Sequence, residues 1–176
     1  LYDDQGKLTF FAAIERDITE HKNMQKALYQ LAITDPLTGI ANRRYFFEVI
    51  DKHIINMKAP ETTHALLLID VDNFKLINDQ YGHVKGDDTL CKVSKICQAI
   101  SHSNEHTCRY GGDEFLIFLE NSNGADAQKT ASKICEQIDT LSDPEVKVSI
   151  GVTLIRAEDK SLNAVIKRAD QGLYQA

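Results

Sequence analysis

The stretch Arg109-Tyr110-Gly111-Gly112-Asp113-Glu114-Phe115 constrains this chain more than any other. It is preceded by His106-Thr107-Cys108 and followed by Leu116-Ile117-Phe118-Leu119, which is dense in apolar residues. Two strands joined by a Gly-Gly turn is the natural reading, because a two-residue hairpin needs positive φ at its tip and glycine supplies it without steric cost. Two carboxylates, Asp113 and Glu114, then open a strand that otherwise reads as buried. Acids placed there repel each other and resist burial unless a cation neutralises them. Alone, the same residues also fit a solvated hairpin tip, so the choice depends on what else the chain brings to that place.

A second acidic cluster bears on that choice. Ala65-Leu66-Leu67-Leu68-Ile69 reads as a central strand buried on both faces. It ends in Asp70-Val71-Asp72-Asn73-Phe74-Lys75, and the ends of buried strands are where α/β folds carry their chemistry. Two hard oxygen donors suit Mg²⁺, which takes one or two carboxylates and keeps its other positions for phosphate oxygens. Lys75 adds a cation within reach of the same phosphates. A polar loop follows between two helices, Asn78-Asp79-Gln80-Tyr81-Gly82-His83-Val84-Lys85-Gly86-Asp87. An amide there can meet the O6 and N7 edge of guanine, and a carboxylate can accept from its N1–H and N2–H₂.

Composition narrows the classes. The 176 residues suffice for one domain with a core and a short extra segment, and 43% hydrophobic content predicts a globular chain. A net charge of -6 argues against holding a nucleic acid polymer by its phosphates, but not against a phosphorylated small molecule held through a metal. Cys91, Cys97, Cys108 and Cys135 lack paired or Cys/His spacing and read as reduced residues. No apolar run reaches membrane-span length and no signal peptide is evident, so a cytoplasmic location is expected. The chain opens mid-fold without an initiator methionine, as expected of a fragment of a multidomain protein.

Taken in order, residues 1–18 read as the end of another domain. Asp3-Asp4-Gln5-Gly6 is turn chemistry and Leu8 to Ile14 a strand-like run. Residues 19–33 turn helical, with Ile18, Gln25, Leu28 and Ala32 on a seven-residue rhythm and Met24 and Leu31 beside them. This linker either forms a short parallel coiled coil or packs on its own domain. Pro36 stops that helix, Gly39 turns the chain, and Asn42 can cap the next helix. Arg43 and Arg44 at a helix N-terminus oppose the macrodipole and call for an anion nearby, with Asp35 the candidate. Helical spacing recurs at Tyr45–Met57, Leu90–Ile100, Ala127–Leu141 and Leu162–Leu173, and Val146–Val152 alternates like a strand.

Six ordered motifs carry a family resemblance. They are Asp35-x-Leu37-Thr38-Gly39-x-x-Asn42-Arg43-Arg44, Asp70-x-Asp72-x-Phe74-Lys75-x-x-Asn78-Asp79, Gly82-His83-x-x-Gly86-Asp87, the Gly-Gly stretch, Ser149-x-Gly151 and Arg168-Ala169-Asp170-x-x-Leu173-Tyr174. Over residues 34–176 the chain resembles the GGDEF family of diguanylate cyclases. Residues 6–22 resemble the last strand and exit of a PAS sensor domain. The resemblance implies an α/β (α+β) fold like the palm of nucleotide cyclases and polymerases, with a mainly antiparallel sheet flanked by helices behind the N-terminal linker helix. It implies condensation of two GTP into cyclic di-GMP and two pyrophosphates, across a homodimer, in the output domain of a bacterial signalling protein.

Carried over residue by residue, Asp70, the Val71 carbonyl and Asp113 ligate Mg²⁺, or Mn²⁺ in its place. Glu114 lies beside the metal and the attacking 3′-hydroxyl, as a further ligand or proton acceptor. Asn78 and Asp87 read guanine, and Lys75 with the backbone of Asn73 and Phe74 holds phosphates. Gly111 and Gly112 let the triphosphate lie against the backbone. Two departures stand out. The inhibitory product site of many members, Arg-x-x-Asp, is replaced by His102-Ser103-Asn104-Glu105, and histidine is a poor substitute for a bidentate arginine. The resemblance also implies a Lys just after Tyr174-Gln175-Ala176 and, a few residues on, an Arg, both touching the phosphates; the given sequence stops before both, as expected of a truncated fragment. A second class of function, a GTP-binding regulatory module with little turnover, shares the same residues, and a pure interaction module is a third.

Overall fold

The structure, a computed structural model, describes Gln5 and residues 16–56, 63–101 and 106–173. The strand-like run Leu8 to Ile14 and most of the expected sensor remnant lie outside them, as do Met57, His102, Glu105 and Tyr174. The chain divides into two compact units, Leu1–Gln30 and Leu31–Ala176. In the first, Asp17 accepts the Thr19 amide at 2.8 Å and opens helix α1 (Thr19–Ile33). Met24, Leu28, Tyr29 and Leu31 of this helix are exposed.

The second unit continues with β1 (Ala41–Asn42), α2 (Arg43–Asn56), β2 (His64–Val71), α3 (Phe74–Tyr81) and α4 (His83–Ser101). It ends with β3 (Thr107–Arg109), β4 (Glu114–Leu119), α5 (Gly124–Ile138), β5 (Val148–Ile155) and α6 (Leu162–Leu173). The five strands form one sheet in the order β1-β3-β4-β2-β5. Three pairings are antiparallel, as expected; β1 lies parallel to β3 and makes the sheet mixed.

Both faces of β2 are covered, which is why its sequence is continuously apolar rather than alternating. On one face Ala65, Leu67 and Ile69 meet Phe115 and Ile117 of β4, beneath Val93 and Cys97 of α4 and Ile134 of α5. On the other, Leu66 and Leu68 meet Leu116 and Phe118, beneath Phe46 and Ile50 of α2 and Val165 and Ile166 of α6. Each Val, Leu, Ile or Phe side chain among them contributes about 1.5–3 kcal/mol by leaving water. Cys97 and Cys108 are free and buried within these layers; burial pushes the Cys97 thiol up to about 12 and raises Cys108 as well, so both are packing residues.

Two of the sequence motifs explain how α6 is seated. Gly151 on β5 faces the Ala169 carbonyl, and a Cβ added there would collide with that backbone atom. Arg168, next to Ala169, grips Asp159 with both nitrogens at 2.6 Å and donates to the Leu154 carbonyl at 2.9 Å. Asp159 is only 4% exposed and also accepts the Arg156 amide at 2.8 Å. The hydrogen bonds from Arg168 hold its carboxyl below the usual range, against the opposing effect of burial. Asp159→Asn is expected to cost about 2 kcal/mol in chemical denaturation at neutral pH. This is less than the roughly 3–5 kcal/mol of a fully buried pair, because the Arg168 head reaches water. The folded-state pKa is depressed, so this contribution is present above the unfolded value near about 3.9 and is lost as pH falls through the folded one. The difference between wild type and variant should therefore shrink below about pH 4.

Candidate active site

The link between β3 and β4 is wider than a two-residue turn. Tyr110 donates to the Glu114 carbonyl at 2.8 Å and Gly111 to the same oxygen at 3.3 Å, which leaves four residues, 110–113, in the loop. Neither Gly111 nor Gly112 takes a left-handed φ, in contrast to the sequence expectation. The wider loop removes the need for one. What calls for glycine at 111 is close approach: a Cβ there would stand 2.7 Å from Glu114 Oε2. The Gly112 carbonyl accepts from Arg109 Nε at 3.1 Å and Nη2 at 2.7 Å.

Arg109 is steadied from the other side by Asp35, at 3.4 Å. Asp35 also accepts the Thr38 amide at 2.9 Å and hydroxyl at 2.7 Å. Burial opposes its ionisation, but the Thr38 hydrogen bonds and the Arg109 charge prevail and lower its pKa. Asp35 is thus a brace for the glycine loop and not, as expected from the sequence, the counter-ion of Arg43 and Arg44. Arg44 donates to the Ala32 carbonyl at 2.8 Å, and Asn42 caps α2 through the Tyr45 amide at 2.9 Å. The Arg43 guanidinium sits 4.5 Å from the Tyr110 ring centre and 5.3 Å from that of Phe47, a cation–π arrangement. Its charge is felt by Glu114.

Sheet register brings the two acidic clusters together. Asp70 on β2 is the direct cross-strand partner of Glu114 on β4, and the Val71 amide donates to the Asp113 carbonyl at 3.2 Å. Burial and then the charges of Asp113 and Asp72 raise the Asp70 pKa. Burial and then Asp70, Asp113 and Asp170 raise that of Glu114, with Arg43 opposing. Like charges directly opposite on a sheet are destabilising, and here they crowd on half-buried ground. A set of hard carboxylate oxygens in mutual repulsion fits a divalent cation. Asp72 is engaged elsewhere, accepting the Ser149 hydroxyl at 2.7 Å. Asp170 lay in a motif read from the sequence without a role, and Arg43 was read as calling for an anion, with Asp35 the candidate; only the fold brings both charges to Glu114.

After the acids the chain turns at Asn73, whose φ of 55° and ψ of 28° are left-handed, and α3 begins with no side-chain cap. A helix N-terminus of this kind favours an anion, and Lys75 stands exposed in its first turn. The stretch from Asn78 to Asp87 is not the loop expected from its composition. Asn78 lies in the last turns of α3, Gly82 alone makes the corner with φ of 82°, and Gly86 and Asp87 belong to the first turns of α4. Gly86 is buried because the Asn78 side chain occupies the place of a Cβ, with Phe74 beside it. Asn78 Oδ1 is itself buried with no hydrogen-bond partner. A buried acceptor left open costs about 1–3 kcal/mol, the mark of a group placed for a ligand. Asp87, which follows Gly86 in α4, is exposed.

Residues 32–176 match the family described as diguanylate cyclase, GGDEF domain. A Vibrio cholerae protein named diguanylate cyclase is 35% identical over 180 residues, covering 97% of this chain and 54% of its own length. The chain therefore spans about half the length of that relative. Among solved structures, the coiled coil and GGDEF domain of DgcB from Caulobacter crescentus, in complex with c-di-GMP, superposes with a TM-score of 0.81 at 25% identity, over 89% of this chain and 86% of that one. The diguanylate cyclase SiaD of Pseudomonas aeruginosa, in complex with its activator SiaC, gives 0.76 at 29% identity over 89% and 62%. On this match and this geometry, the chain belongs to the GGDEF family.

Proposed function

We propose that this chain is a diguanylate cyclase that condenses two GTP into cyclic di-GMP and two pyrophosphates. The observation that carries the reading is the pairing of Asp70 with Glu114 across β2 and β4, with Asp113 at their side. A divalent cation, Mg²⁺ or Mn²⁺, would supply positive charge to the triphosphate and acidify the attacking 3′-hydroxyl. Asp70, Asp113, Glu114 and the Val71 carbonyl would hold it. The raised pKa of Glu114 suits a group that takes up a proton, and the Arg43 charge nearby limits how far it rises.

The rest of the site reads as a GTP cradle. Asn78 Oδ1, buried and unpartnered, is an acceptor and so meets a guanine donor rather than the O6 and N7 edge read from the sequence, and Asp87 accepts from the same N1–H and N2–H₂ edge. The N-terminus of α3 at Asn73 and Phe74, with Lys75, takes the phosphates, and the bare backbone of Gly111 and Gly112 lets the triphosphate lie close. One such cradle holds one GTP, so the reaction needs two copies facing each other. Bringing two substrates into line is worth about 7–11 kcal/mol of barrier. The exposed Met24, Leu28 and Leu31 of α1 suit a coiled coil that pairs the copies. An upstream PAS-like segment as the sensor, a cytoplasmic location and weak product inhibition through His102 and Glu105 complete the proposal. Among the described residues no helix is long and apolar enough to cross a membrane.

The direct test is turnover of GTP with Mg²⁺, the product identified by mass, over a range of protein concentrations. Cyclic di-GMP is expected, with a steeper than linear dependence on protein. Asp113→Ala should lower the rate at least about a hundredfold, since even outer-shell partners of a metal cost up to that much, while the unfolding midpoint holds. A fully active variant would sink the assignment. GTP binding without product, also in a chain extended past Ala176, would favour the regulatory module instead.

A separate expectation concerns Gly86→Ala. The added methyl displaces Asn78 and should weaken GTP about tenfold, the scale of one lost hydrogen bond to a buried group, and erode the preference over ATP. Calorimetric titration of both nucleotides reads this; equal affinities in variant and wild type would remove Asn78 from guanine recognition.

A further inference from the structure

At the other end of the same strands lies a second cluster with different chemistry. His53 sits in the last turn of α2, His106 just before β3 and Glu120 just after β4. Six residue steps along β4 separate Glu120 from Glu114, about 20 Å at ~3.3 Å per residue. The Phe118 amide donates to the His106 carbonyl at 2.8 Å, which sets His106 beside the end of β4. The buried Phe118 ring is the platform on which the imidazoles rest, with ring centres 5.6 Å away for His53 and 5.5 Å for His106.

We propose that His53, His106 and Glu120 form a binding site for a borderline transition cation of the Zn²⁺ class. His53 Nδ1 lies 3.5 Å from Glu120 Oε1 and His106 Nε2 lies 3.7 Å from the same oxygen, and one donor atom from each residue falls within 4.8 Å of the others. These separations exceed a hydrogen bond, which closes to about 2.7–3.2 Å. They approach the edge of a tetrahedron built on bonds of about 2.0–2.2 Å, which is ~3.4 Å. Two imidazoles and one carboxylate are a ligand set that Zn²⁺ takes, with the remaining position open to water. Imidazole selects Zn²⁺, Cu²⁺ or Ni²⁺ over Mg²⁺, which the all-oxygen cluster at Asp70 suits better. The three side chains are partly exposed, so an ion has a way in. The neighbouring His64 is spent: its Nδ1 accepts the Asn121 amide at 3.2 Å. Once bound, the ion ties the C-terminal end of α2 to the β3–β4 hairpin. The competing account is an ordinary ion pair of Glu120 with protonated histidines, worth at most about 1 kcal/mol and indifferent to metals.

Chelator-stripped chain titrated with Zn²⁺ by calorimetry slightly above neutral pH, where protons compete less with a metal for its ligands, decides between them. One equivalent at micromolar affinity or tighter is expected, unaffected by excess Mg²⁺, with a rise in the unfolding midpoint. His106→Gln and Glu120→Gln should each weaken it by more than about tenfold while leaving the metal-free unfolding midpoint in place. Asp113→Ala should leave it unchanged, which separates this site from the proposed active site. Co²⁺ in place of Zn²⁺ should give visible bands of a nitrogen and oxygen set with no thiolate charge-transfer band. Absence of Zn²⁺ binding, equal binding in both Gln variants, or a thiolate band would overturn the proposal.

Discussion

The antiparallel register of β2 against β4 is the constraint on which the rest depends. It sets Ile69 against Phe115 and, one step on, Asp70 against Glu114. The apolar side chains behind the acids hold that register by their fit to the two helical layers, since close-packed cores tolerate little displacement. Two carboxylates therefore meet although their repulsion opposes it. The rise in both pKa values has burial as its first cause and neighbouring acids as its second. The fold accepts this local cost for the geometry it gives, the pattern expected where local rules break at a functional site.

Around that point the charged and glycine residues work as braces rather than as chemistry. Arg109 holds the Gly112 carbonyl and is itself held by Asp35, so the loop carrying Asp113 is fixed from the start of the domain. Gly86 makes room for Asn78, and Gly151 lets α6 close on β5 at Ala169. That closure puts Asp170 within electrostatic reach of Glu114. In each case one residue of a motif reaches the site while its neighbour makes the approach sterically feasible.

Much of this was legible in the chain. The unbroken apolar run at Ala65–Ile69 gave away a strand covered on both faces, and 3.6-residue spacing located the helices. The meeting of Asp70 with the Gly-Gly stretch followed from family likeness, since register across β2 and β4 leaves no local signal. Two readings failed for definite reasons. Positive φ at Gly111 and Gly112 assumed the tightest turn, whereas the loop carries four residues. The polar stretch from Asn78 to Asp87 looked like a loop, yet only Gly82 leaves the helical conformation, because polar side chains on exposed helix faces cost nothing. The approach of Arg43 to Tyr110 and Glu114, about seventy positions on, had no local signature, whereas Phe47 lies one turn along the same helix.

The sheet has two polar ends, and their donor chemistry differs. One carries carboxylates alone, together with a bare helix N-terminus and an unpartnered amide oxygen. The other carries imidazoles, packed on Phe118, with a single carboxylate. Hard cations and phosphates belong to the first set and borderline cations to the second. Because β4 connects them through a core in which Phe115 to Phe118 are fully buried, a cation at the imidazole end acts on the same hairpin that presents Asp113 and Glu114. Its effect there would be on the rigidity of the hairpin, since about 20 Å of close-packed strand separates it from the reacting atoms.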